Sequence, residues 1–88
     1  MIKKVLKIKN SNKICKNFEK NFNRLKHKKI VLYGIGPETE ILVNGLKDYN
    51  IIGLMDQNKG FQNKFFYKKK ILSEASVIKA NAIIIIVS

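Results

Sequence analysis

Between residues 30 and 37 the chain reads Ile30-Val31-Leu32-Tyr33-Gly34-Ile35-Gly36-Pro37, and few architectures accommodate that run. Four apolar, β-favouring residues without polar alternation suit a strand covered on both faces, as in a parallel sheet. Glycine ends the strand. Pro37 then opens a helix at the position whose N–H has no intrahelical partner. Glu38 and Glu40 fall in the first turn, where carboxylates complement the positive end of the helix dipole. Ile41, Leu42, Leu46 and Tyr49 supply a buried side, and Ile51-Ile52-Gly53-Leu54-Met55 forms a second strand that stops at Asp56. Strand, glycine turn, helix and strand in this order imply a parallel pair joined by a crossover.

The same reading extends to both ends. Asn50 is placed to take a left-handed cap after the helix. Gly45 costs that helix about 1 kcal/mol against alanine, and is read as allowing close approach to the sheet or as simply tolerated. Gln57-Asn58-Lys59-Gly60 is a turn or loop. Phe65-Phe66-Tyr67 and Ile71-Leu72, flanking Lys68-Lys69-Lys70, read as a short irregular strand or hairpin at a sheet edge. Ser73 caps a short helix containing Glu74, Ala75, Val77 and Ile78, Asn81 ends it, and Ala82 to Val87 is a last strand in the middle of the sheet. Upstream, Ile14, Phe18, Phe22 and Leu25 recur at helical spacing, with Asn10, Ser11 or Asn12 able to cap the start. The expected fold is α/β: a parallel sheet of about four strands with flanking helices, preceded by an N-terminal amphipathic helix. Residues 1–27 form a basic helical leader packed on the domain, and residues 28–88 the domain itself.

Charge divides along the same line. Residues 1–29 carry eleven basic groups and one acid, Glu19, a net of +10; residues 30–88 carry seven lysines and five acids, a net of +2. Seventeen of the eighteen basic residues are lysine, and lysine, asparagine and isoleucine together make 41 of 88 residues, the signature of AT-rich codons. Nucleic-acid sites favour the arginine fork, and Arg24 is the only arginine, so no specific nucleic-acid partner is expected. The leader reads either as a basic amphipathic helix for membrane or nucleic acid or as a packed helix with solvated lysines.

The apolar end run is far shorter than the about 20 residues of a membrane span, and the lysine-rich start lacks the apolar block of a secretory signal. With one cysteine, Cys15, no internal disulfide forms, and the cytoplasm is the default location. A final strand this apolar needs a cover, so further domains of the same chain are expected after Ser88. A homodimer is a further possibility, because an uncovered strand invites self-association.

The stretch Lys29 to Pro37, followed by Ile52-Gly53-Leu54-Met55-Asp56, resembles Rossmann-type nucleotide-binding N-terminal domains of bacterial surface-polysaccharide and sugar-modifying proteins, and the related CoA-binding domains. Lys70-Ile71-Leu72-Ser73-Glu74 and Ala82-Ile83-Ile84-Ile85-Ile86 look like the second half of such domains. The resemblance covers residues 28–88 and implies a nucleotide-type ligand: NAD or another adenine nucleotide, a nucleotide-sugar, or CoA. The chemistry fits that expectation. A glycine turn brings backbone N–H groups and the helix dipole to a pyrophosphate, and an acid at the end of the second strand takes ribose hydroxyls. Gly34, Ile35, Gly36 and Pro37 form the turn. Asp56 lies 20 residues after Gly36, which favours NAD over NADP.

The pattern also has departures. Thr39 stands where a third glycine is usual, Pro37 removes one N–H, and Glu38 adds negative charge. Two readings therefore remain open: a ligand-binding turn, or a tight strand-to-helix connection capped by Glu38, with Asp56 either a ribose ligand or a turn former. No catalytic residue is assigned. His27 and Cys15 lie in the leader, no second histidine exists to build a metal site, Tyr33 reads as a packing residue, and Lys68-Lys69-Lys70 as a solvated edge or a phosphate contact.

Overall fold

The computed structural model describes residues 2–6 and 13–87, the first of these segments as backbone alone. Its elements in chain order are strand β1 (Ile2–Leu6), helix α1 (Ile14–Phe22) with a 3-10 turn Asn23–Leu25, strand β2 (Lys29–Tyr33), helix α2 (Pro37–Gly45), strand β3 (Asn50–Met55), a 3-10 turn Lys59–Phe61, strands β4 (Phe65–Phe66) and β5 (Lys69–Lys70), helix α3 (Glu74–Ala80) and strand β6 (Ile83–Val87). The chain is α/β. Its sheet is built on three parallel strands in the order β6–β2–β3, and β1 runs parallel along the other side of β6, with Ile2 opposite Ile83 and Leu6 opposite Val87.

The continuous apolar strands are covered on both faces. Ile30, Leu32, Ile51, Leu54, Ile83 and Ile85 form one core with Ile14 and Phe18 of α1 and Leu42 of α2. Val31 and Ile84 face the other way, onto Val77 of α3 and Ala82. An irregularity in the β2–β3 ladder pairs Ile30 with Ile51 but Val31 with Gly53. The extra residue on β3 lets Ile51 and Leu54, three positions apart, enter the same core. Glycine at 53 makes room for Leu72, since a Cβ there would stand 2.6 Å from its Cδ1 and 3.0 Å from the backbone oxygen of Lys70.

Several expectations are corrected. Segment 65–72 contributes no full strand to the main sheet. It folds into a separate antiparallel hairpin, β4–β5, and touches the main sheet through one parallel bridge, Ile71 to Leu54. The strand at Ile2–Leu6 was not anticipated. Asn50 is not a cap: α2 ends at Gly45, Leu46 takes the C-cap position and Asn50 begins β3. Tyr49 is buried beyond the helix rather than on it. Gly45 opens space toward α1 and not toward the sheet, because a Cβ there would lie 2.5 Å from Sγ of Cys15. Asn10, Ser11 and Asn12 lie outside the described residues, and Lys13, at the N-cap of α1, makes no side-chain cap. The cap at α3 is as read: Ser73 Oγ accepts the N–H of Ser76, and Asn81 closes the helix in the left-handed conformation.

Candidate functional site

The chain leaves β2 for β3 on one side and later returns to β2 on the other side as β6. In open α/β sheets the carboxyl ends of strands at such a reversal form a crevice. Gly34 lies there, directly after β2. Its φ of +116° is a conformation that side-chain-bearing residues rarely adopt, and a Cβ on it would stand 2.8 Å from the backbone oxygen of Val87 on β6. Both constraints demand glycine. Gly36 differs: its φ of 171° is ordinary extended backbone, and a Cβ would meet only Oε2 of Glu38, at 3.7 Å.

Asp56 reaches the turn through strand register. Tyr33 pairs with Met55, and the N–H of Gly34 extends the ladder to the oxygen of Met55 at 2.8 Å. The next residue on β3 is therefore beside Ile35. Asp56 Oδ2 accepts the N–H of Ile35 at 3.1 Å, and Oδ1 accepts the N–H of Asn58 at 2.9 Å. One carboxylate thus joins the glycine turn to the loop after β3, and the Asn58 side chain continues the chain of contacts by accepting the N–H of Gly60 at 2.9 Å.

Two further groups hold the turn. Thr39, fully buried, donates its hydroxyl to the oxygen of Gly34 at 2.6 Å. The residue at the third glycine position therefore ties the helix to the turn. The Tyr67 hydroxyl donates to the oxygen of Gly36 at 3.2 Å, bringing the β4–β5 hairpin against the start of α2. That hairpin turns through Tyr67 and Lys68, with φ of +53° and +66°. Consecutive positive φ values are the geometry of a tight hairpin turn that normally calls for glycine or asparagine. Lys68 is exposed at its tip.

Sequence reasoning brought Gly34, Ile35, Gly36, Pro37 and Asp56 to one place, and the structure places them together. It did not find Thr39 or Tyr67 as partners of the turn. Tyr67 lies 31 residues from Gly36, and no local pattern announces that contact. Pro37 takes the first helical position, so Glu38 and Thr39 carry the first N–H groups at the open end of α2. His27 is exposed and Cys15 half-buried on α1, away from the turn. Tyr33 is half-buried against the smaller core. Among the described residues no group of three or more histidine, cysteine, aspartate or glutamate side chains is arranged to hold a metal ion, and no helix is long and apolar enough to cross a membrane.

No protein-family model matches the chain, and comparison with curated proteins and with solved structures finds no similar one.

Proposed function

We propose that this chain is a Rossmann-like nucleotide-type binding domain whose ligand enters at the carboxyl end of the sheet, over Gly34, Ile35, Gly36 and Asp56. The observation that carries the reading is the coupling of Asp56 to the glycine turn. An acid at the end of the second strand, held against the first turn, is where a ribose would meet a carboxylate acceptor. The strand order supports it, since the third Rossmann position is reduced to the single bridge at Ile71 while the reversal at β2 remains. A free Asp56 oxygen lone pair would take a ribose hydroxyl, and the N–H groups of Glu38 and Thr39 would face the phosphates. Glu38 and Asp56 both flank the turn, so the ligand of best fit presents sugar hydroxyls there and carries few negative charges close to Glu38. NAD, a nucleotide-sugar and CoA are the classes in view. A role in sugar or cell-surface polysaccharide metabolism rests on the family resemblance alone.

A specific observation favours a second reading, a scaffold that keeps the shape without a nucleotide. Asp56, Thr39 and Tyr67 spend their polar groups on the protein's own backbone, so the turn is satisfied from within. A ¹⁵N-amide titration with NAD, ADP, CoA and a UDP-sugar separates the two. Saturable shifts centred on Gly34, Ile35, Gly36 and Asp56 support binding and name the ligand class. Silence at millimolar concentrations of all four leaves the scaffold.

A further inference from the structure

The nucleotide reading does not use the basic leader, and the structure changes how that segment is understood. Ile14 and Phe18 are buried in the main core, so α1 has no free apolar face to lay into a membrane. Lys13, Lys16 and Lys20 are spaced three and four residues apart, on one exposed side of the helix, and exposed Arg24 continues the line into the 3-10 turn. Residues at this spacing stand about 5–6 Å apart, the scale of neighbouring phosphates along a polynucleotide. The one acid of the helix, Glu19, is exposed and stands three residues from Lys16 at the border of this face, so the face carries a net positive charge.

Helix stability does not account for these cations. α1 has no acid in its first turn and no side-chain cap, and Lys13 and Lys16 occupy its amino end, where the dipole disfavours positive charge. The cations also border a cavity. Lys20, Asn21, Phe22, Asn23, Arg24 and Leu25 line an open hollow of about 430 Å³. Phe22 is half-buried, its ring 5.0 Å from that of Phe18, and Asn21 donates its amide to the oxygen of Asn17 at 2.7 Å, which leaves the exposed Asn23 and Arg24, the only arginine in the chain, as the polar groups facing a ligand. An aromatic ring, a guanidinium and amides are the groups that stack and hydrogen-bond an unpaired base. Leu25 stands four residues before the start of β2 and Gly34 directly follows its end, so this hollow and the glycine turn lie at opposite ends of one strand.

We infer that the Lys13–Lys16–Lys20–Arg24 face of α1, with the hollow beside Phe22, binds single-stranded nucleic acid through its phosphates without sequence readout. The test is fluorescence anisotropy of the full chain with a labelled 20-mer of uridine across a salt series. Each phosphate neutralised on a single strand contributes about 0.7 to the salt slope, so four contacts predict a roughly 50-fold loss of affinity between 50 and 200 mM salt. Replacing K16Q, K20Q and R24Q together, all at exposed positions, is expected to lower the slope by about 2. The melting temperature should hold or rise, since the fold does not depend on these charges. An unchanged slope in the triple variant overturns the assignment. So does binding to vesicles of phosphatidylserine and phosphatidylcholine with no binding to the oligonucleotide, which would mean an anionic surface is the partner. Tight oligonucleotide binding that is lost on D56N but kept in the triple variant also overturns it, by placing the contact at the glycine turn.

Discussion

Asp56 holds the N–H of Ile35 at 3.1 Å across 21 residues of sequence. A turn that would present its N–H groups to a bound anion already has a carboxylate of its own on one of them. Asp56 is therefore both the candidate ribose ligand and a strut of the glycine turn. Charge-assisted hydrogen bonds of this kind contribute about 1.5–3 kcal/mol each. Asp56→Asn keeps the shape but offers one acceptor oxygen where two are used. It should lower the urea midpoint by an amount equivalent to about 1–2 kcal/mol, and weaken any nucleotide tenfold or more if ribose contacts Asp56. A stability loss without any ligand phenotype would favour the scaffold.

The two glycines of the turn should behave unequally. Gly34→Ala must move backbone against Val87 and adopt an unfavourable φ. A cost of about 2–4 kcal/mol is expected in chemical denaturation. Gly36→Ala, in extended backbone where a Cβ would make only an ordinary contact with Oε2 of Glu38 at 3.7 Å, should cost under about 0.5 kcal/mol, so a change in ligand affinity there reports crowding of the site and not unfolding. Equal losses at both positions would contradict the geometry.

Gly45 is the last residue of α2, so helix propensity alone predicts a gain for alanine of at most about 1 kcal/mol, the helix-interior value. Contact with Cys15 predicts the opposite, because the new methyl would overlap Sγ. Gly45→Ala should therefore destabilise. In Cys15→Ala, where the nearest remaining atom is the Cβ at 3.8 Å, the same change should recover its intrinsic gain. A double-mutant cycle measures the coupling, and an additive result would mean that the Cys15 side chain gives way to the new methyl without cost.

Tyr49 carries a buried hydroxyl with no hydrogen-bond partner among the described residues, while its ring packs edge-on against Phe18 at 5.2 Å. Tyr49→Phe keeps the ring and removes the orphan group, so stability at neutral pH should hold or rise by about 1 kcal/mol. Burial, then the charges of Glu19 and Asp48, raise the Tyr49 hydroxyl above its ordinary 10.0. Burial and Glu19 likewise raise the Cys15 thiol above 9.0. In both, the folded state holds the proton more tightly than the unfolded chain. Their contribution is complete below pH 9 and is lost as pH rises from 9 for Cys15 and from 10 for Tyr49 through their raised folded-state values. Thermal melts from pH 8 to 11 should show this decline, and Cys15→Ala/Tyr49→Phe should flatten it.

How much of this could be read from sequence depends on the range of the interaction. β2, α2, β3, α3 and β6 follow from local pattern: apolar runs, Pro37 at a helix start, Ser73 and Asn81 at helix ends. β1 was missed because Lys3 and Lys4 interrupt Ile2, Val5 and Leu6, and its pairing depends on β6, some 80 residues away in sequence. The turn and its acid were found because their spacing is fixed by one crossover. The unequal demands on Gly34 and Gly36 were not, because Val87 makes the difference. Thr39 read as a defect in a glycine motif, whereas its hydroxyl supplies a bond that glycine could not make.

The pairing of Gly45 with Cys15 has one more consequence. The chain has a single thiol, and it is wedged where α1 meets α2, donating to the oxygen of Ile41 at 3.6 Å. The sulfur is half-buried, so its rate of reaction with a bulky thiol reagent is sensitive to how tightly α1 and α2 hold together, readable on the unaltered protein. Run with and without an oligonucleotide or a nucleotide, that rate would tell whether a bound partner steadies the seam between these two helices.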